Sequence, residues 1–322
     1  MNGPDMPDVS VVIPARNAEG VIGDQLKALT RQADAAPFEV IVVVNGCSDA
    51  TEAEALSFKD RLDLNVIHSE PGYSSARNAG VLAARSDVVL FCDADDAVRQ
   101  GWLTALAEAV KQRGGIVGGF FGYTRFNSRE VCRINGIDPE HPDGREAGLG
   151  SDEYNDRRSV SGGNFGVKRT DYIKAGGLDQ SYRGGLEETD FCFRARSVGI
   201  PVTFCPDARV EVRLRKVGAA AFKQQRGYAR NKVLFAVRAD NEVRAGRSSL
   251  PYAFDLSFKW SVGQLVSTLT LLPAACVANG RRVEFMHRLG GHFGSIEGHL
   301  LYRVFRRIPS RQLMSKSMER EL

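Results

Sequence analysis

The sequence lacks any pair of cysteines at the CxxC spacing. Its six cysteines are scattered along the chain, at Cys47, Cys92, Cys132, Cys192, Cys205 and Cys276. Zinc sites and disulfide frameworks need characteristic cysteine spacings, so this pattern argues against both and favours free thiols in a reducing compartment. The first residues also lack the basic stretch and apolar run of a signal peptide. We therefore expect a cytoplasmic protein.

The chain also lacks a large excess of either charge. Its 322 residues carry a net charge of +4, with 25% of residues charged and 43% hydrophobic. So small a net charge does not indicate a nucleic acid partner. The apolar fraction is ordinary for a globular protein with a sizeable core. The length suits one large α/β domain plus an extension.

Strand and helix patterns alternate through the first third of the chain. Short apolar runs predict strands at residues 9–13, 39–44, 65–68 and 88–92. Amphipathic spacing and composition predict helices after them, at residues 19–32, 50–62, 75–84 and 102–113. This alternation is typical of an α/β fold in which helices cover both faces of a mainly parallel sheet.

Polar loops follow three of these strands, at residues 15–17, 45–49 and 93–96. Ligands of such sheets bind beyond the carboxyl ends of the strands. The three loops therefore predict one site along a single edge of the sheet.

The third of these loops contains three carboxylates, Asp93, Asp95 and Asp96, directly after an apolar strand. Carboxylates this close raise one another's pKa, and a divalent cation removes that penalty. Hard oxygen ligands suit Mg²⁺ or Mn²⁺, which commonly also bind substrate phosphates. The alternative is a solvated turn in which Asp96 helps to cap the helix near Trp102.

Several segments, taken in order, resemble those of the inverting family 2 glycosyltransferases, which have the GT-A fold. They are VVIPARN at 11–17, VVNGCSDAT at 43–51, GYSSARNAG at 72–80, FCDADD at 91–96, SGGNF at 161–165, GGLD at 176–179 and EETDFCFR at 187–194. The resemblance covers about residues 9–212. It implies a GT-A domain at 1–212, with a nucleotide-sugar half to about residue 96 and an acceptor half after it. A basic, mostly helical extension would follow at 213–322.

The resemblance also implies roles for individual residues. Nucleotide-sugar binding would fall to Pro14, Ala15, Arg16, Asn45, Arg77, Asn78, Asp93, Ala94 and Asp95. Among these, Ala15 and Arg16 would border the base, Asn45 would read its edge, and Asp95 would bind the metal. Asp49 would cap the helix after its loop. Glu188 is the candidate catalytic base and Asp190 its rival, although both also suit the first turn of a helix.

The implied reaction is a hexosyltransferase-like single displacement with Mn²⁺ or Mg²⁺. One sugar would pass from a nucleotide-diphosphate-sugar, with UDP favoured, to a hydroxyl of a glycan, lipid-linked or small-molecule acceptor. Such a protein would serve glycan, polysaccharide or glycolipid synthesis. The QxxRW segment of processive polymerases is not matched, which favours transfer of a single sugar.

The sequence departs from the family pattern at three places. Val44 and Asn45 stand where relatives often carry acids, and Glu188 stands where the base is often aspartate. The histidine that many relatives place after the next strand as a metal ligand is missing. A metal would then rest on Asp95 and the diphosphate, or on Glu211 in addition.

The last third of the chain has a different composition. Residues 213–247 carry ten lysines and arginines against Asp240 and Glu242. Residues 261–278 are mostly apolar but interrupted, which predicts a buried or interfacial helix pair rather than a membrane span. A basic, amphipathic tail follows from Arg281. This third would either contact the inner face of an anionic membrane peripherally or pack as a helical bundle on the catalytic domain.

Two other functions compete with glycosyl transfer. A nucleotidyltransferase would also use an α/β sheet and carboxylate-bound metal, but it would need a glycine-rich, lysine-bearing loop, which residues 12–17 do not provide. A catalytically inactive nucleotide-sugar-binding protein would fit the missing histidine and the altered Asn45.

Overall fold

A mixed eight-stranded sheet forms the centre of the protein. The computed structural model describes residues 6–32, 35–135, 137–138, 159–214, 218–246, 248, 258–277 and 279–314. In chain order the strands are β1 (Val9–Ala15), β2 (Phe38–Val44), β3 (Asp63–His68), β4 (Val88–Cys92), β5 (Ala97–Val98), β6 (Ile116–Gly122), β7 (Asn164–Lys168) and β8 (Val202–Glu211). The spatial order is β3-β2-β1-β4-β7-β6-β8-β5.

The sheet has a parallel half and a mixed half. Strands β3, β2, β1 and β4 run parallel, as the sequence predicts. Strand β7 is antiparallel to both β4 and β6, whereas β8 runs parallel to β6 and antiparallel to the short β5. The carboxyl ends of β1, β2 and β4 therefore lie along one edge, which is where the polar loops begin.

Four helices connect or follow the parallel strands, close to the predicted positions. They are α1 (Ile22–Leu29), α2 (Thr51–Leu56), α3 (Tyr73–Ala83) and α4 (Trp102–Arg113). Helix α1 begins three residues later than predicted because Ala18 and Gly20 form a turn, with Gly20 at a φ of +76°. Helix α2 ends six residues earlier than predicted, where Phe58 and Lys59 continue in turns.

Successive residues of a strand point to opposite faces of the sheet, and in β1, β2 and β4 nearly all of them are apolar. Both faces of the sheet are therefore apolar. Val11 belongs to one buried cluster and Val12 to the other. Helix α3 packs against the second face through Gly80, where an added Cβ would lie 2.3 Å from Val12 Cγ1. Only glycine permits this approach. It explains the glycine of the ARNAG segment.

A buried amide fixes the mixed half of the sheet. Asn164, at the start of β7, accepts a hydrogen bond from Trp102 Nε1 over 2.8 Å. Its Nδ2 donates to the carbonyls of Phe120 and Ala208, on β6 and β8, over 2.7 and 2.9 Å. Asn164, the last residue of the SGGN segment, thereby links strands β6, β7 and β8 to helix α4.

Helices α5 (Arg129–Ile134), α6 (Arg169–Lys174) and α7 (Glu187–Ser197) complete the region before β8. The extension then contributes α8 (Gly218–Arg244), α9 (Phe258–Leu269), α10 (Leu272–Val277), α11 (Asn279–Gly298) and a π-helical turn at His299–Val304. The helix pair predicted at 261–278 is confirmed as α9 and α10. Arg215, Lys216, Arg247, Ala278 and the end of the predicted basic tail lie outside the described residues.

Helices α8 and α11 pack with their backbones in close contact. Glycines at every fourth position of α11, Gly290, Gly294 and Gly298, face the backbone of α8, and an added Cβ at Gly294 would lie 2.1 Å from the carbonyl oxygen of Arg226. Any larger residue there would separate the two helices. Among the described residues, no helix combines the length and apolar character that crossing a membrane requires.

Candidate active site

The loops after β1 and β2 contact each other directly. The backbone N–H of Asn45 donates to the carbonyl of Ala15 over 2.9 Å, and that of Ser48 donates to Asn17 Oδ1 over 2.9 Å. Asp49 accepts from both the N–H and the hydroxyl of Thr51, at the start of α2, as predicted for a capping residue. The Thr51 hydroxyl lowers the pKa of Asp49 below its ordinary value. Pro14 and Ala15 are the last two residues of β1, and Arg16, which follows them, is exposed.

The side chain of Asn45 is buried and already has two partners. Its Oδ1 accepts from the Gly72 N–H over 2.8 Å, and its Nδ2 donates to the Gly72 carbonyl over 3.0 Å. This pair of bonds joins the second loop to the start of α3. The predicted contact of Asn45 with a nucleobase would have to use the remaining amide proton or lone pair.

The three strand-end carboxylates do converge. Asp93, Asp95 and Asp96 each offer an oxygen, and these oxygens lie within 4.8 Å of one another. Asp95 is exposed, whereas Asp96 is buried and accepts from the Arg213 N–H over 3.0 Å. Burial and the neighbouring carboxylates raise the pKa of Asp96 well above its ordinary value. An all-oxygen set with this repulsion fits a hard divalent cation.

Two expectations about the surroundings of this cluster need correction. Glu211 is not part of the cluster, because it is buried in an ion pair with Arg99 and also accepts from the Arg125 N–H. Arg213, which the sequence groups only with the basic segment, instead lies against the acids. Its Nε donates to the Asp95 carbonyl over 3.2 Å, and its Nη2 pairs with Asp24 over 2.9 Å.

Arg77 links this cluster to the start of α7. Its side chain is only 3% exposed; Nη2 donates to Asp93 Oδ1 over 2.6 Å, and Nη1 lies 3.8 Å from Glu188 Oε1. Burial disfavours the charged guanidinium, but the surrounding carboxylates outweigh burial and raise the pKa of Arg77. The family resemblance implies that Arg77 binds the nucleotide-sugar. In the structure its guanidinium is held between two carboxylates.

Helix α7 opens with two glutamates, of which Glu187 is buried and Glu188 is partly buried. Burial raises the pKa of Glu188, with the charge of Arg77 opposing that shift. Burial, together with the charge of Glu188, raises the pKa of Glu187 to about 8. Glu187 Oε2 also finds no hydrogen-bond partner among the described residues. The charge of Arg77, which lies beside Glu188, favours the ionised form of that residue.

Two glycines form the wall between these groups. An added Cβ at Gly162 would lie 2.1 Å from Glu188 Oε1 and 2.9 Å from Arg77 Nη2. One at Gly163 would lie 2.7 Å from Asp93 Oδ2. The backbone of this loop therefore touches the carboxylates on both sides of Arg77. The SGGN motif identifies the segment in the sequence, but not this contact.

Asn78 and Asp190 lie in internal networks. Asn78 Oδ1 accepts from Tyr172 and from the Leu178 N–H, and its Nδ2 donates to the Leu178 carbonyl. Asp190 is fully buried and accepts from the side chains of Arg194 and Arg311. Burial alone would raise the pKa of Asp190, but these two cations hold it below its ordinary value. Asp190 lies in the first turn of α7, as its sequence position suggests, and its carboxylate is paired there with two guanidinium groups.

Comparison with known families decides the classification. The family model described as Glycosyl transferase family 2 matches residues 10–174, just over half of the chain. The chain belongs to this family. The match includes the strand-end acids and Arg77, while Glu188 and the extension lie beyond it.

Similar curated proteins share part of this chain. A probable glycosyltransferase, YdaM of Bacillus subtilis (strain 168), is 28% identical over 216 residues, which is 64% of this chain and 51% of that protein. The validoxylamine A glucosyltransferase of Streptomyces hygroscopicus subsp. limoneus is 26% identical over 277 residues, 77% of this chain and 59% of that protein. The chain thus spans about half to three fifths of the length of these two relatives.

Solved structures confirm the predicted GT-A fold. The mannosyltransferase PcManGT of Pyrobaculum calidifontis, solved with GDP-Man and Mn²⁺, superposes with a TM-score of 0.57 at 17% identity, over 93% of this chain and 88% of that chain. S. aureus TarS 1-349 superposes with a TM-score of 0.50 at 15% identity, over 92% of each chain. At such identities the likeness extends to the fold alone.

Proposed function

We propose that this protein is an inverting glycosyltransferase that moves one sugar from a nucleotide-diphosphate-sugar to an acceptor hydroxyl. The observation that carries the proposal is the buried guanidinium of Arg77, which joins Asp93 over 2.6 Å and approaches Glu188 to 3.8 Å. An acid from the strand-end cluster and an acid suited to proton abstraction therefore lie beside the same guanidinium group. Membership of family 2 supports the same reaction.

Glu188 is the proposed general base. It accepts the proton of the acceptor hydroxyl as the acceptor oxygen bonds to the anomeric carbon. The bond from that carbon to the phosphate oxygen breaks, and its electron pair leaves with the nucleoside diphosphate. Attack opposite the leaving group inverts the anomeric configuration. The charge of Arg77 favours the ionised form of Glu188 and so opposes the effect of burial, which favours the protonated form.

The donor would bind at the edge formed by the loops after β1, β2 and β4. Asp95 is the proposed metal ligand because it is the exposed member of the acid cluster, with Asp93 and Asp96 beside it. A bound Mn²⁺ or Mg²⁺ would offset negative charge on the diphosphate. PcManGT was solved with GDP-Man and Mn²⁺, and TarS has been solved with UDP-GlcNAc, which supports a donor of this class. A UDP-sugar is our first choice of donor.

The extension after residue 212 is proposed to bring the enzyme to an anionic membrane surface, where lipid-linked acceptors lie. Helices α9 and α10 expose a row of apolar side chains, namely Val262, Val266, Leu269, Leu272 and Val277. Arg281 and Arg288 on the adjoining α11 are more than half exposed. An apolar face beside arginines is the pattern of a helix that lies in the interface of a membrane.

A donor screen tests the proposal. Purified protein would be incubated with UDP-, GDP- and dTDP-sugars, Mn²⁺ or Mg²⁺ and candidate acceptors, with NMR used to follow diphosphate release and anomeric configuration. We expect metal-dependent release of a nucleoside diphosphate and an inverted product. Donor binding without any release would indicate an inactive binding protein. In a separate incubation with a sugar phosphate and a nucleoside triphosphate, formation of pyrophosphate would indicate a nucleotidyltransferase.

A further inference from the structure

Two fully buried carboxylates lie at the start of α7: Asp190 is in its first turn, and Asp179 precedes the helix and shares the guanidinium of Arg311 with it. Three guanidinium groups neutralise them. Arg194 comes from α7 itself, whereas Arg238 comes from α8 and Arg311 from the residues after the π-helical turn. Two of the three cations therefore belong to the extension rather than to the catalytic half.

Arg311 makes one of the contacts between the extension and α7, beside the packing of Phe193 against Phe235. Its Nη1 lies 2.8 Å from both carboxylate oxygens of Asp190 and 3.3 Å from Asp179 Oδ2. Asp190 also accepts from Arg194 Nε over 2.7 Å and from the Tyr182 hydroxyl over 3.2 Å. Buried charges of this kind are stable only when they are paired, so each cation matters to the arrangement of the others.

Residues 305–314, which we call the C-terminal strap, run back across this region. The Gln312 N–H donates to Asp179 Oδ1 over 2.9 Å, and the Gln312 carbonyl accepts from the Gln180 N–H over 3.0 Å. The Met314 N–H donates to the Gly176 carbonyl over 3.0 Å, and the Met314 side chain is buried in the core beside Gly177. Arg238 fastens the other end by donating to the Pro309 carbonyl over 2.8 Å.

The start of α7 has little local support of its own. The chain enters the helix through Gly184, Gly185 and Leu186, all at positive φ, and Leu186 at +77° is unfavourable for a residue with a branched side chain. The N-cap residue of this helix, Leu186, makes no side-chain capping hydrogen bond. Asp190 lies two residues after Glu188 in the same turn, so its ion pairs fix the turn that carries Glu188.

We propose that Arg311 is a positioning residue that holds the first turn of α7, and with it Glu188, in the orientation needed to take the acceptor proton. The strap thereby makes the extension part of the active site's framework. This inference rests on the proposed function for its catalytic consequence, but the hold on α7 can be measured without activity.

The test compares Arg311→Gln with Arg307→Gln, an exposed arginine of the same strap. Amide hydrogen exchange is measured across α7, together with kcat and donor Kd. In Arg311→Gln we expect faster exchange in residues 187–191 and a kcat about tenfold to a hundredfold lower, since small displacements of a reacting group are this costly. Donor Kd should stay within about twofold, because the Arg311 guanidinium bonds to Asp179 and Asp190 rather than to the loops after β1, β2 and β4. Arg307→Gln should match the wild type.

Arg311→Lys retains the charge but not the planar fork, and its kcat should lie between those of the wild type and Arg311→Gln. It also replaces Arg311→Gln in the comparison if that variant does not fold. Combined with Asp190→Asn, Arg311→Gln should lower kcat by less than about threefold further, since both changes break one contact.

Unchanged exchange in α7 together with a wild-type kcat in Arg311→Gln would overturn the inference. An equal loss of activity in Arg307→Gln would also overturn it. If the wild type turns over no donor, the proposed function fails, while the exchange data still decide whether Arg311 holds α7.

Discussion

Replacing Gly162 with alanine should displace the proposed base without unfolding the protein. The added Cβ would lie 2.1 Å from Glu188 Oε1 and 2.9 Å from Arg77 Nη2. An ordinary carbon–oxygen contact is about 3.3–3.6 Å, so the carboxylate must move by more than about 1 Å. A misplacement of about 1 Å can lower the rate by about 10²-fold. Because the end of the Glu188 side chain is flexible, the cost to stability should be only about 1 kcal/mol.

The assay measures kcat, donor Kd and melting temperature for Gly162→Ala beside Gly291→Ala. At Gly291, in α11, an added Cβ meets nothing within 4 Å. That control should keep full activity and gain about 0.5–1 kcal/mol of stability. We expect Gly162→Ala to lose about 10²-fold in kcat while donor Kd changes little. Wild-type kcat in a folded Gly162→Ala would refute the assignment of Glu188 to the reacting centre.

Three further predictions concern the metal, the buried glutamate and the membrane. Asp95→Asn should abolish turnover and weaken donor binding only when Mn²⁺ or Mg²⁺ is present; full activity of this variant, or of the wild type in excess EDTA, would contradict a metal role. Since the pKa of Glu187 is raised in the folded state to about 8, its contribution to stability is largest below pH 4.5 and is lost as the pH rises through about 8. The melting temperature of Glu187→Gln relative to that of the wild type should therefore rise as the pH increases from 4.5 to about 8, and it should stay constant above pH 8. A difference in melting temperature that does not depend on pH would contradict the raised pKa. The protein should sediment with anionic vesicles at low salt and release at high salt, and Val266→Glu should weaken binding; equal binding to neutral vesicles, or none to either, would exclude the proposed surface.

The parallel half of the fold follows closely from the sequence because its signals are local. Strand β4 and helix α4 have the predicted bounds, since a buried strand reads as an apolar run and helix α4 as an apolar stripe. The antiparallel placement of β7 between β4 and β6 has no such signal. It depends on long-range contacts, such as those of Asn164 with Trp102, that spacing along the chain does not reveal.

The candidate site was predictable as a set of loops but not as a set of contacts. The acids at 93–96 and the loop at 45–49 lie along one edge of the sheet, as expected for loops that follow parallel strands. The position of Arg77 between Asp93 and Glu188 could not be read from the sequence, since these residues come from three separate elements. For the same reason the sequence could not separate Glu188 from Asp190 as the base. Their surroundings in the structure differ: Asp190 is fully buried and paired with Arg194 and Arg311, and this is why Glu188 remains the proposed base.

The extension was predicted by composition alone, which gives charge and helix content but no partners. A basic segment reads the same whether its arginines face solvent or buried acids. Arg213 lies against Asp95 and Asp96, and Arg238 pairs with the buried Asp179. The boundary proposed at residue 212 therefore marks a change in amino-acid composition. Side chains from beyond it nevertheless contact the acid cluster and α7.

The central claim, that Glu188 takes the acceptor proton, is tested most directly by the kcat of Glu188→Gln at saturating donor. Glutamine keeps the shape of the side chain and removes the proton acceptor, so kcat should fall by about 10²–10⁴ while donor Kd and melting temperature stay close to those of the wild type. Asp190→Asn, measured beside it, should instead lose about 3 kcal/mol of stability, because it leaves Arg194 and Arg311 without their carboxylate. Normal transfer by Glu188→Gln, with Asp190→Asn folded but inactive, would contradict the account and make Asp190 the base.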